Sequence, residues 1–88
     1  MRNRLSNFCH RHDISAPLYF CSVDHDGYQA SVMIDNIYNI TRMKPCYIRI
    51  DDEYGTISHH GYGDTVNQAE ENAARNMMKC LIHYKLTT

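Results

Sequence analysis

From Gly61 onward the chain reads as a tight Gly-x-Gly turn running into one long, well-capped helix. Thr65 is a good N-cap and Gln68 follows three residues later. Thr65-Val66-Asn67-Gln68 is therefore a capping box, in which each end of the motif satisfies an orphan backbone donor of the other. Val66, Ala69, Ala73, Met77, Leu81 and Tyr84 recur at steps of three and four, giving a helix from Thr65 to about Lys85 a single apolar face. With 88 residues in all, the chain is one domain at most. A chain of this size buries only roughly 60–65% of its unfolded surface, so the rest of the sequence has to supply the layer on which that face packs.

Arg2 to Asp13 reads as a short amphipathic helix, with Leu5, Phe8, Cys9 and His12 at helical spacing. Pro17 starts an extended segment, and Leu18 to Val23 is rich in aromatic and β-branched residues, as strands are. Asp24-His25-Asp26-Gly27 is a turn signal, and Tyr28 to Asp35 is a second extended run. Asn36 to Pro45 mixes Ile37, Tyr38, Ile40 and Met43 with polar residues and reads as an irregular loop or the extension of a hairpin. Cys46 to Asp51 alternates, with Cys46, Ile48 and Ile50 on one face and Tyr47, Arg49 and Asp51 on the other. Asp52-Glu53-Tyr54-Gly55 is a turn, after which Thr56 to Gly61 returns as a strand. The order helix, about three strands, helix predicts an α+β fold. Both terminal helices pack on one face of an antiparallel sheet and leave the other face open.

Charge narrows the function. Nine Lys and Arg stand against ten Asp and Glu, for a net charge of −1. Domains that bind nucleic acid are usually strongly basic, so only a local patch remains for phosphate. No apolar run is long enough to cross a membrane and no secretory leader is legible, which points to an intracellular protein with no membrane partner. On that basis the Asn39-Ile40-Thr41 sequon is a chance match. Cys9, Cys21, Cys46 and Cys80 show no Cys-x-x-Cys spacing and read as reduced core thiols. His59 and His60 are neighbours on a strand, so their side chains point to opposite faces and do not chelate together. Cys9 and His12 share a helix face while His10 points elsewhere. The acidic run Asp51-Asp52-Glu53 sits at a turn, where solvated carboxylates are usual. With no nucleophile–base set and no phosphate-cradling glycine loop, the chain reads as a non-enzyme without cofactor, metal or small-molecule substrate.

The two ends of the chain carry a family resemblance. Leu5, Phe8, Ile14, Pro17 and Tyr19 match in spacing the first helix and following proline of the double-stranded RNA-binding domain (dsRBD), and Gly61 to Leu81 resembles that family's C-terminal helix. The resemblance implies an α-β-β-β-α domain over residues 1–88: a three-stranded antiparallel sheet with both helices on one face. It also implies three RNA contacts. On the first helix these fall at Asn7, near Arg4 and Arg11. On the loop after the first strand, the family's Gly-Pro-x-His is reduced to Gly27, with Tyr28 and Ala30 in place of Pro and His. At the closing helix, the family's Lys-Lys-x-x-Lys is replaced by Val66, Asn67 and Glu70. The middle departs as well, since the segment 28–44 reads as longer than the usual link between the first two strands.

Loss of the lysines weighs most. Duplex RNA is recognised through 2′-hydroxyls and phosphates, and each neutralised phosphate contributes through counterion release. The expectation is therefore a degenerate dsRBD acting mainly as a protein-interaction module in an RNA-silencing or RNA-processing assembly, with another protein or a second copy of itself as partner. Its surface would be the open sheet face, the edge of the third strand or the apolar middle segment, with Ile37, Tyr38, Ile40, Met43, Tyr47 and Arg49 as interface residues. The alternative is weak duplex-RNA binding through Arg4, Asn7, Arg11, Gly27 and Asn67 as part of a larger protein.

Overall fold

The computed structural model describes residues 1–41 and 54–83. Within them the order is α1 (Arg2–Arg11), β1 (Leu18–Asp24), β2 (Gly27–Ile34), α2 (Tyr38–Thr41), β3 (Ile57–Gly63) and α3 (Val66–His83). The fold is α+β: a three-stranded antiparallel sheet in the order β1-β2-β3, flanked by helices. Among the described residues no helix is long and apolar enough to cross a membrane.

α1 buries Leu5, Phe8 and Cys9, and the His12 ring packs at 4.6 Å from that of Phe8. The helix stops because Asp13 turns left-handed (φ 56°). Asp13 N–H then donates to the His10 carbonyl (3.2 Å) and Ile14 N–H to the Cys9 carbonyl (3.0 Å), the bond pair of a Schellman motif. Ile14 and Cys9 are both buried, supplying the apolar contact that accompanies this motif.

β1 and β2 form a hairpin whose last pair is Asp24–Gly27, so only His25 and Asp26 make the turn. Asp24 Oδ1 accepts the His25 N–H at 2.8 Å. Gly27 is needed for space: a Cβ there would stand 2.6 Å from the Gly63 carbonyl oxygen. The link between the first two strands is thus short, and the run from Tyr28 is itself β2. The enlarged connection lies between β2 and β3 instead.

The described ends of that connection form a packed corner, not an irregular loop. Asn36, left-handed at φ 57°, turns the chain into α2. Asn36 N–H and Ile37 N–H donate to the Tyr54 and Gly55 carbonyls, at 3.2 and 3.0 Å. The buried Thr56 hydroxyl donates to Asp35 Oδ1 at 2.9 Å. Ile37 and Ile40, expected at an exposed interface, are buried with Ile34 and Ile57. Their spacing of three places both on the inward side of the turn, which corrects the sequence reading. Tyr38 is partly exposed and lies against Gly55, where a Cβ would come 2.8 Å from its ring. Met43, Tyr47, Arg49, the Cys46–Asp51 alternation, the Asp51-Asp52-Glu53 run and Tyr84 lie outside the described residues.

α3 opens much as its capping box predicts. Gln68 N–H donates to Thr65 Oγ1 at 3.1 Å, while Gln68 Oε1 accepts from Asp64 N–H at 2.9 Å, one residue earlier than the motif expects. Ala69, Ala73, Met77 and Leu81 are buried as read, and Ala74 and Met78 widen the stripe. Val66, on the first turn, does not belong to it and is exposed. Close approach of α3 to β3 depends on Gly61, where a Cβ would lie 2.1 Å from the Ala73 nitrogen. One core cluster joins α1, α3 and the alternate residues Ala30, Val32 and Ile34 of β2.

Candidate functional site

Three surfaces follow from this architecture. The first is the side of α1. Arg4, Asn7 and Arg11 are all exposed, and their spacing of three and four lines them up in a stripe beside the buried Leu5–Phe8–Cys9 face. Among the described residues neither arginine enters an ion pair. Two further positions singled out for RNA contact, half-buried Gly27 and exposed Asn67, lie at the hairpin and on the first turn of α3. The hairpin and the entry to α3 come together through the Gly27–Gly63 approach, and Asp24, Asp26 and Asp64 line the small depression between them. This part of the surface is anionic.

The second surface is the junction between the start of α1 and the start of α3. Arg2 Nη1 lies 3.4 Å from Glu70 Oε1, and Arg2 Nε lies 3.4 Å from Glu71 Oε2. The Met1 amine pairs with Glu71 Oε1, and the Arg2 N–H also donates to that carboxylate at 3.4 Å. The hydrogen bond from the amine, helped by Arg2, holds the Glu71 carboxyl below its usual range. Beneath the pair, Tyr19 borders a cleft with Arg2, Ser6, Pro17 and Glu71. Its hydroxyl is buried without a hydrogen-bond partner among the described residues. Burial, reinforced by Glu70 and Glu71 and opposed by Arg2, pushes the Tyr19 phenol up to about 12. The carboxylates of Glu70 and Glu71 are therefore tied to the start of α1. Arg2 was the residue the sequence reading missed, since nothing in linear spacing brings residue 2 to residue 70.

The third surface is the sheet itself. Residues opposite each other in the register share a face, so the outer face carries Leu18, Met33 and Ser58 in one row. Phe20, Ser31 and His60 form the next, and Ser22, Gln29 and Tyr62 the third. Leu18, Phe20 and Tyr62 are more than half exposed. Ser31 Oγ and His60 Nδ1 share a hydrogen bond of 2.7 Å across that face, while His59 sits opposite Val32 on the inner side. On the inner side of β1, Cys21 and Val23 are exposed, because the helices leave the hairpin end of that strand uncovered. Cys9, Cys21 and Cys80 form no disulfide among the described residues. Of these only Cys9 is a core thiol, raised to about 11 by burial. Exposure of Cys21 overturns the expectation of core cysteines throughout, and Cys80 is half-buried. Phe20 and Leu18 were legible as strand residues, but their exposure depends on which face the helices take.

No protein-family model matches the chain, and no curated protein matches it.

Proposed function

We propose that this chain is a divergent dsRBD, with both helices on one face of its sheet, that works mainly as a protein-interaction module in an RNA-silencing or RNA-processing assembly. In this reading its own RNA binding is weak or lost. The observation that carries the reading is the start of α3. A helix N-terminus beside lysines is a good phosphate site, but here the first turn carries no lysine, and Glu70 and Glu71 follow on the next turn, paired with Arg2 and the Met1 amine. Phosphate would have to displace those pairs and then face two carboxylates. Asp24, Asp26 and Asp64 add like charge around the hairpin. The open sheet face, with Leu18, Phe20 and Tyr62 exposed, suits a protein partner better than a polyanion. The kind of assembly rests on the family resemblance.

The Arg4–Asn7–Arg11 stripe favours the second reading, weak duplex-RNA binding within a larger protein. Titration of a labelled duplex of about 20 base pairs, longer than the roughly 16 that such a domain spans, separates the two at low and moderate salt. The first reading expects no saturable binding by the native chain. It also expects salt-sensitive binding to emerge when Val66→Lys, Asn67→Lys and Glu70→Lys are combined. Tight, salt-sensitive binding by the native chain, retained when Val66 and Asn67 are made acidic, would overturn it.

A further inference from the structure

The two edges of the sheet differ. On β3, Asn76 Nδ2 donates to the His60 carbonyl and Asn72 Nδ2 to the Tyr62 carbonyl, both at 2.6 Å. Residues 72 and 76 share one side of α3, and carbonyls two residues apart point to the same side of a strand. The helix thereby occupies two of the acceptors that an incoming strand would need. This works against the third-strand edge as a docking site.

Among the described residues β1 has no such cover and pairs as a strand with β2 alone. Its sequence Leu-Tyr-Phe-Cys-Ser-Val-Asp has high strand propensity and lacks the lysine, proline or bulge that usually protects an edge. Its apolar side chains are open on both faces: Leu18 is 56%, Phe20 58% and Val23 80% exposed.

We propose that two copies of this chain pair antiparallel through β1, about a two-fold axis at Cys21. The proposal rests on the protein-interaction reading and names its partner. In this register Tyr19 meets Val23 of the second copy, Phe20 meets Ser22, and Leu18 meets Asp24, the one charge of the strand. A parallel pairing would set Asp24 against its own copy. The antiparallel register also lays Val23 beside the Tyr19 ring and joins the Leu18–Phe20 patches of both copies into one apolar strip. Because β3 is capped, an assembly built on β1 closes at two copies, as an isologous interface should.

Equilibrium sedimentation of the native chain over a wide concentration range tests the pairing, with Cys21 cross-linking by a short bismaleimide and duplex-RNA titration on the same preparation. Expected are a dimer with no larger species and a Cys21–Cys21 cross-link. Cys21→Lys, which opposes two ammonium groups on the axis, should weaken association about tenfold or more, whereas Cys21→Ser leaves it intact. Val23→Lys, at an exposed position, serves as a second edge variant should Cys21→Lys fail to fold. A dimer indifferent to both lysines overturns the β1 pairing, as does a monomer whose β1 amides are protected from exchange, since its own chain would then cover the edge. A monomer that also ignores RNA removes this pairing and leaves the protein-interaction reading standing. A monomer that binds RNA tightly removes both.

Discussion

Asp13 shows how a single residue can be legible in type and not in role. The sequence breaks its helical pattern there, yet only the left-handed backbone and the bonds from Asp13 and Ile14 identify a Schellman end. Glycine adopts that conformation without a Cβ penalty, so Asp13→Gly should raise stability by about 1 kcal/mol, read as a higher denaturation midpoint. Tyr19 gives a pH signature. Its phenol titrates at about 12 in the folded chain, against an ordinary value of 10 once the chain unfolds. The folded protein therefore holds a proton that the unfolded chain releases first. The associated stability is complete below pH 10 and is lost as pH rises through about 12. Tyr19→Phe should flatten this alkaline slope in pH-dependent denaturation. It should cost little at neutral pH, because it deletes a hydroxyl with no partner among the described residues.

At the scale of elements, α1, the hairpin and α3 were legible because each carries a local code: helical spacing, a short turn rich in Asp and Gly, and a capping box. The stretch from Asn36 to Ile40 was not. Ile37 and Ile40 look like stray apolar residues until Asn36 and Ile37 pair with Tyr54 and Gly55 and turn both isoleucines inward. Val66 misled in the opposite sense, since periodicity places it on the stripe while on the first turn of α3 it is exposed. Ala74 and Met78 were missed because a face one residue wider is needed only when a helix meets a second helix as well as a sheet, as α3 meets α1. Gly61 reads as part of a turn and is in fact the seat of α3 on β3. Gly61→Ala should cost about 3 kcal/mol, measured by chemical denaturation, with α3 displaced from β3.

Across the whole molecule the candidate site was only partly legible. That the start of α3 carries no lysine is visible in sequence, whereas capture of Glu70 and Glu71 by Arg2 depends on the meeting of the two ends of the fold. Protection of one sheet edge likewise requires the register of α3 on β3. Replacing Asn72 and Asn76 together by alanine should uncover that edge. Light scattering should then report species beyond the dimer, growing with concentration, where the proposed β1 pairing of the native chain stops at two. The ion pair between Arg2 and Glu70 spans 68 positions of sequence, and the core of α1 is shared with α3. During synthesis, then, α1 emerges with Leu5, Phe8 and Cys9 and lacks its packing partner α3 until that helix has been translated. Contacts this distant in sequence slow folding, so a pause in translation before α3 is made would prolong the time for which the nascent helix offers those side chains to chaperones.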